Sequence, residues 1–293
     1  MPSLKEVRNR ISSVNSTQQI TKAMKMVAAA KLRKAQDHAM RIRPYAEKLN
    51  GILQNISAAL EEGSENVFAE ERELKKVLIV VVTSDRGLAG AFNANVVKGA
   101  MSLINDKYQD LAAQGNVDIL SIGKKGTEFF AKRGGNLNSD YSTLFLNLKF
   151  EAVKQTAEFI MQEFLNGTYD RVDVVYNEFK NVATQIVRQV QFLPIENQPV
   201  TAVATSAVDY IFEPSVEYII KELIPKSLKI QFYKFLLESN ASEHGARMTA
   251  MDKATENAKE MLKELKLTYN RSRQASITKE ILEIVGGAEA LNN

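Results

Sequence analysis

The chain has 293 residues, 45% hydrophobic and 25% charged, with 38 Lys/Arg against 35 Asp/Glu and no cysteine. That is enough for one large core or for one or two domains with attached helices, and a net charge of +3 does not by itself point to nucleic acid. Disulfides, thiolate metal sites and thiol nucleophiles are excluded, and no apolar run approaches the roughly 20 residues that span a bilayer.

The first predicted element is a helix from about Ser3 to Leu60. Positions alternately three and four apart read Leu4, Val7, Ile11, Val14, Gln18, Thr21, Lys25, Ala28, Leu32, Ala35, Ala39, Ile42, Ala46, Leu49, Leu53, Ile56 and Leu60, a heptad stripe of a coiled coil. The stripe thins at Gln18, Thr21 and Lys25, which suggests that its middle faces something other than a simple helical partner. Pro44 predicts a bend or a local break. Charge is uneven: residues 1–50 hold 11 Lys/Arg against three Asp/Glu, a local +8, whereas 51–74 hold six glutamates and only Arg72. The first helix is therefore a basic surface that the rest of the chain largely neutralises.

From residue 74 the elements alternate. Leu74–Thr83 is apolar enough for a strand covered on both faces, and Ser84–Gly90 is a turn leading into a helix over Ala91–Ala113. A second strand at Val117–Ile122 is followed by Gly123 and a short helix near Thr127–Arg133. A helix over Leu148–Leu165 precedes a strand at Arg171–Tyr176 and another at Ile186–Leu193, the last expected antiparallel at an edge. This alternation predicts a small α/β domain, about residues 74–199, with a Rossmann-like, mostly parallel sheet. After a linker at Pro199–Val208, Pro214–Val285 reads as helix again, interrupted by Pro225 and carrying only Gly245 beyond it. Its apolar positions include Ile219, Leu223, Ile230, Leu237, Met251, Ala258 and Leu262. About 60 residues of helix extend on the order of 90 Å, so the helices over 1–60 and 209–288 are expected to pack on each other as an antiparallel coiled coil that projects beyond the α/β domain.

Catalytic chemistry is hard to find. Ser84-Asp-Arg-Gly-Leu-Ala-Gly90 follows a strand and precedes a helix, yet has neither GxGxxG nor GxxxxGK[ST] spacing, and Ile122-Gly-Lys-Lys-Gly126 fails the same comparison. His38 and His244, the only histidines, have no ligand cluster around them. Asp85, Arg86, Asp118 and Glu178 lie near predicted strand ends, but no spacing selects an acid–base pair. Catalytic, cofactor and metal sites are all expected to be absent. A basic coil could bind nucleic acid, hold the α/β domain as a scaffold, or act as a shaft against another protein. Few aromatics in residues 1–44 and Lys/Arg wrapped around the helix disfavour nucleic acid. Small side chains at Ala28–Ala30 suit close packing or sliding. The polar run Tyr269–Glu280 offers Arg271, Arg273, Gln274 and Thr278 on adjacent turns.

Ile20-Thr-Lys-Ala-Met-Lys-Met-Val-Ala28, Ala250-Met-Asp-Lys-Ala-Thr-Glu-Asn-Ala258 and Tyr269–Ala288 resemble the gamma subunit family of rotary F-type ATP synthase, as does Thr83–Asn93. The resemblance runs from Leu4 to about Ala288. It implies a rotor: a coiled-coil axle inside a ring of three alpha and three beta subunits, and a foot that meets the epsilon subunit and the c-ring. Nucleotide chemistry would then belong to the surrounding subunits. By the same resemblance Met24 faces a lever segment of beta, Lys22, Lys25, Arg33 and Lys34 favour its acidic regions, and Arg273, Gln274 and Thr278 engage a catch loop of beta. Tyr210 and Glu213 are expected on the c-ring side of the foot. The lack of cysteine excludes the thiol gating of plant-chloroplast relatives. With no transit-like stretch before Leu4, the resemblance implies a bacterial protein, peripheral on the cytoplasmic side of the inner membrane.

Overall fold

The computed structural model describes residues 3–59, 67–195 and 216–292. In chain order these form helix α1 (Leu4–Ala59), strand β1 (Val77–Val82), helices α2 (Phe92–Lys107) and α3 (Gln109–Ala113), strand β2 (Val117–Ile122), helix α4 (Lys124–Ala131), strand β3 (Asn136–Asn138), helix α5 (Phe150–Leu165), strands β4 (Arg171–Phe179) and β5 (Gln185–Leu193), and helix α6 (Val216–Asn292). Two compact units divide them: Met1–Ala28 with Arg247–Asn293, and Ala29–Ala246. The predicted linker lies outside the described residues.

In the unit Ala29–Ala246 the five strands are ordered β3-β2-β1-β4-β5. β1 pairs in parallel with β2 and β4, β2 in parallel with β3, and β4 with β5 antiparallel. Every residue of β1 is buried, as its unbroken apolar run requires. Alternation then splits the core. Val77, Ile79 and Val81 join Val96, Ala100, Leu103 and Phe130 from α2 and α4, whereas Leu78, Val80 and Val82 join Ile160, Phe164, Phe232 and Leu236 from α5 and α6. Each fully buried Phe, Leu, Ile or Val contributes roughly 1.5–3 kcal/mol of burial.

Several boundaries differ from expectation for local reasons. The predicted helix over 91–113 is cut at Tyr108 (φ −128°, ψ 22°). There the ring is buried, and the hydroxyl donates to the buried carboxylate of Asp173 on β4. Strand β3 has only three residues, with Leu137 as its one apolar side chain against the core, and is held by parallel pairing to Asp118–Leu120. α4 begins three residues earlier than expected, directly at Gly123. Pro44 neither breaks nor ends α1, which stays helical on both sides of it. Its side chain is exposed, so the carbonyl deprived of a hydrogen bond can turn to water.

Tyrosine–carboxylate contacts sew the lower edge of the sheet. Tyr169 Oη donates to Asp118 Oδ2 at 2.9 Å, and Lys76 Nζ lies 2.9 Å from the same oxygen. Burial, and then the hydrogen bonds to Asp173 and Asp118, push the Tyr108 and Tyr169 hydroxyls above the ordinary tyrosine range. A raised folded-state value means that the unfolded chain loses these protons first. The contribution is therefore complete below about pH 10 and is lost as pH rises towards the folded values. Urea midpoints measured between pH 8 and 11 should fall steeply above 10, and Tyr108→Phe with Tyr169→Phe should flatten that fall; an unchanged slope would assign it to other groups.

In the unit Met1–Ala28 with Arg247–Asn293, α1 and α6 run antiparallel. Thr255 Oγ1 lies 2.8 Å from Thr21 Oγ1, and Lys25 Nζ is 2.6 Å from Asp252 Oδ1. The polar middle of the α1 stripe thus does face a helical partner. Its polar side chains are met by polar side chains of α6, in place of apolar knobs. Val7, Ala28, Met251, Ala258 and Leu262 supply the buried apolar positions on either side.

Candidate functional site

The carboxyl ends of β1 and β2 are where an open α/β sheet would bind a ligand. Here the chain itself fills that place. The amide of Gly126 donates to Thr83 Oγ1 at 2.8 Å, and that of Lys124, in the first turn of α4, points at Asp85 Oδ1, 3.3 Å away. Ser84 N donates to Asn93 Oδ1 at 2.9 Å, closing the turn on the helix that follows. A helix N-terminus that could attract phosphate already has a carboxylate before it.

The other sequence candidates are not brought together. Asp118 sits at the amino end of β2, paired with Lys76 and Tyr169, whereas Glu178 near the carboxyl end of β4 pairs with Arg188 on β5 at 2.6 Å. His38 is exposed on α1 and His244 is buried on α6. Among the described residues no group of His, Cys, Asp and Glu could hold a metal ion. What remains as a candidate site is surface.

That surface lies on the unit Met1–Ala28 with Arg247–Asn293. α1 starts at Leu4, and the antiparallel register of Thr21 with Thr255 brings its first turn level with about residue 272 of α6. Beyond that level α6 continues without α1 beside it, and its side chains open out: Ile277, Ile281, Leu282, Ile284 and Val285 are all exposed, Ile284 at 71%. A solvated helix does not normally carry so many large apolar side chains together. Arg273, Gln274 and Thr278 are exposed on the same stretch, and Thr278 Oγ1 donates back to the Gln274 carbonyl at 2.9 Å. Neither Arg273 nor Gln274 makes a side-chain hydrogen bond or ion pair among the described residues.

Met24 and Lys25 form a second location, about 30 Å from Arg273 along the paired helices. Met24 is half-buried, and the Lys25 ammonium is held by Asp252. The neighbours Ile20, Met26 and Val27 are more than half exposed. They fall between heptad positions, so the stripe does not single them out; large apolar residues at outward positions are the signal the sequence offers. Lys22, Arg33 and Lys34 are exposed, the first on this unit and the others on α1 within Ala29–Ala246. Tyr210 and Glu213 lie outside the described residues.

A family model described as ATP synthase matches residues 3–291. The ATP synthase gamma chain of Cytophaga hutchinsonii is 74% identical over 295 residues, with all of both chains covered, and that of Flavobacterium johnsoniae is 55% identical over 292 residues, again with full coverage of both. Among solved structures, a chain of the Euglena gracilis mitochondrial ATP synthase OSCP/F1/c-ring in rotational state 3 shares the fold with TM-score 0.66 at 19% identity, covering 98% of this chain and 94% of that one. A chain of the Tetrahymena thermophila central stalk and c-ring gives TM-score 0.58 at 24% identity, covering 80% and 99%. The chain belongs to the ATP synthase gamma chain family.

Proposed function

We propose that this member of the gamma chain family is the rotor shaft of a proton-translocating F-type ATP synthase, coupling rotation of the c-ring to conformational change at catalytic beta subunits. The observation that carries this is the end of α6, which outruns α1 and leaves apolar side chains and the Arg273–Thr278 polar group uncovered on one helix. Such a tip suits a sleeve of other subunits. In this reading residues 1–60 and 209–288 belong to the shaft and residues 74–199 to the foot. It has no active site of its own: the carboxyl ends of β1 and β2 are packed by Thr83, Asp85, Gly123 and Gly126, and nucleotide chemistry is left to its partners.

Those partners are the alpha and beta subunits around the shaft, and epsilon and the c-ring at the foot. Met24 and Lys25 meet a beta lever, with Lys22, Arg33 and Lys34 steering towards acidic regions. Arg273, Gln274 and Thr278 meet a beta catch loop, and Tyr210 and Glu213 face the c-ring. Among the described residues no helix is long and apolar enough to cross a membrane, and the chain works as a peripheral subunit on the cytoplasmic side of a bacterial inner membrane.

Co-expression with the alpha and beta subunits of the same organism tests this. Native mass should give three alpha, three beta and one copy of this chain, with ATP turnover that depends on it. A chain that stays alone, or that binds nucleic acid with steep salt dependence, would sink the rotor assignment.

A further inference from the structure

Within the unit Ala29–Ala246, α6 is fastened to the α/β core by directional contacts. The rings of Tyr176 and Phe235 stack with centroids 4.6 Å apart, and Phe192 lies 5.5 Å from Phe232. Ser242 Oγ donates to the carbonyl of Asn177 at 3.1 Å, and Lys229 pairs with Glu158 on α5 at 2.6 Å. Gly245 brings the helix so close that an added Cβ would lie 3.3 Å from the Phe179 ring. α6 cannot turn or slide without breaking several of these.

α1 is held differently. Its buried positions here are mostly small and smooth, Ala35, Ala39 and Ala46 with Leu32 and Leu49, and Ala46 and Leu49 meet Ile230 with Ile42, Phe150 and Leu223 around them. Such contacts hold helices together, but they define register weakly, because alanine offers no knob to lock into a hole. The ion pair that joins α1 to α6 among the described residues of this unit is Arg43 Nη2 to Glu238 Oε1, 3.6 Å, with the glutamate side chain only 4% exposed.

Glu238 is an expensive residue to place there. Burial pushes its carboxyl above the ordinary range; Lys234 one turn back on α6 and Arg43 on α1 counter that, and Glu178 on β4, itself paired with Arg188 on β5, adds to it. Beside it the Tyr176 hydroxyl is raised first by burial and then by the charges of Glu238 and Glu178. Only the carboxylate is buried, the Arg43 side chain being 41% exposed, and an apolar pair of similar size would hold two helices at least as firmly as a pair that desolvates one charge. What a charge pair supplies and an apolar one does not is a single preferred register.

We propose that Arg43 and Glu238 are positioning residues for rotary coupling, a key that makes α1 turn together with α6 and the sheet instead of slipping along its alanine seam. This rests on the rotor-shaft reading above. Neither residue belongs to the surface assigned to beta. The key carries load, so it matters when the shaft turns against resistance and little when it turns freely.

The test uses the complete membrane complex reconstituted in vesicles, with Arg43→Met, Glu238→Met, the double variant and the conservative Arg43→Lys. ATP hydrolysis in uncoupled vesicles, ATP-driven proton uptake and thermal stability of the complex are all recorded. The double variant should melt no lower than wild type and hydrolyse ATP at a similar uncoupled rate, while protons taken up per ATP fall by about threefold or more. Arg43→Lys should retain most of the coupling. Wild-type protons per ATP in the double variant would overturn the proposal, as would parallel loss of hydrolysis and uptake with lowered melting, which marks a purely structural pair. Where a single variant fails to assemble, the double variant decides. Were wild-type turnover independent of this chain, the rotor reading itself would fall, and not merely the key.

Discussion

Complexes carrying Arg273→Lys with Gln274→Ala should assemble normally and lose about tenfold in ATP turnover. Both side chains are exposed where α6 has passed the start of α1, and neither is engaged by the described residues around it. A guanidinium in this situation offers a planar fork of donors that an ammonium cannot reproduce, and Gln274 adds an amide one position along. Hydrogen bonds to a charged group are worth about 1.5–3 kcal/mol. Losing part of that from a state the complex must pass through corresponds to a factor of about ten. Turnover should be compared at equal assembled mass, with the Arg273→Lys single variant showing the smaller loss. Full turnover in an intact complex would remove these residues from the coupling step and leave the tip as a mere apolar bearing. Thr278→Ala is expected to do less, because its hydroxyl is spent on the Gln274 carbonyl.

How far the sequence disclosed this surface depends on which physics wrote it. Helical spacing is a local property, so α1 and α6 were readable from three–four spacing, and the βα alternation announced a mostly parallel sheet with β5 antiparallel at the edge. Strand β3 was not readable, since a three-residue Asn-Leu-Asn segment is too short to carry a periodic signal and owes its pairing to β2. Nor was the break at Tyr108, which comes from a contact with Asp173, 65 positions away. The thin stretch at Thr21 and Lys25 is visible in the sequence but misleading: polar residues at heptad positions suggest a different partner, and only three dimensions show Thr255 and Asp252 opposite them. Nothing in the sequence around Glu238 marks it as buried, which it is. The roles proposed for Arg273 and Gln274 rest on resemblance alone, because exposure does not tell a contact residue from a solubilising one.

Gly123→Ala should cost the chain several kcal/mol of stability, enough to prevent recovery of folded protein. Gly123 has φ +95°, a region that side chains disfavour, and a Cβ there would stand 2.1 Å from the carbonyl oxygen of Thr83. Neither atom can retreat cheaply. Thr83 is fully buried between β1 and β2, and its hydroxyl receives the Gly126 amide. Gly115→Ala is the control, since φ is +76° but nothing lies within 4 Å of the new methyl; it should cost only about 1 kcal/mol. Urea midpoints of the two variants separate the backbone term from the collision, and equal losses would show that the close approach does not matter. Millimolar ATP or ADP should leave the wild-type midpoint unchanged. A ligand that binds the folded state must raise that midpoint, so a clear rise would mean that the glycine turn cradles phosphate. The tight packing of Gly123 on Thr83 argues the opposite: in this chain the glycines let two strand ends and a helix meet, and the space a nucleotide would need is occupied by the protein itself.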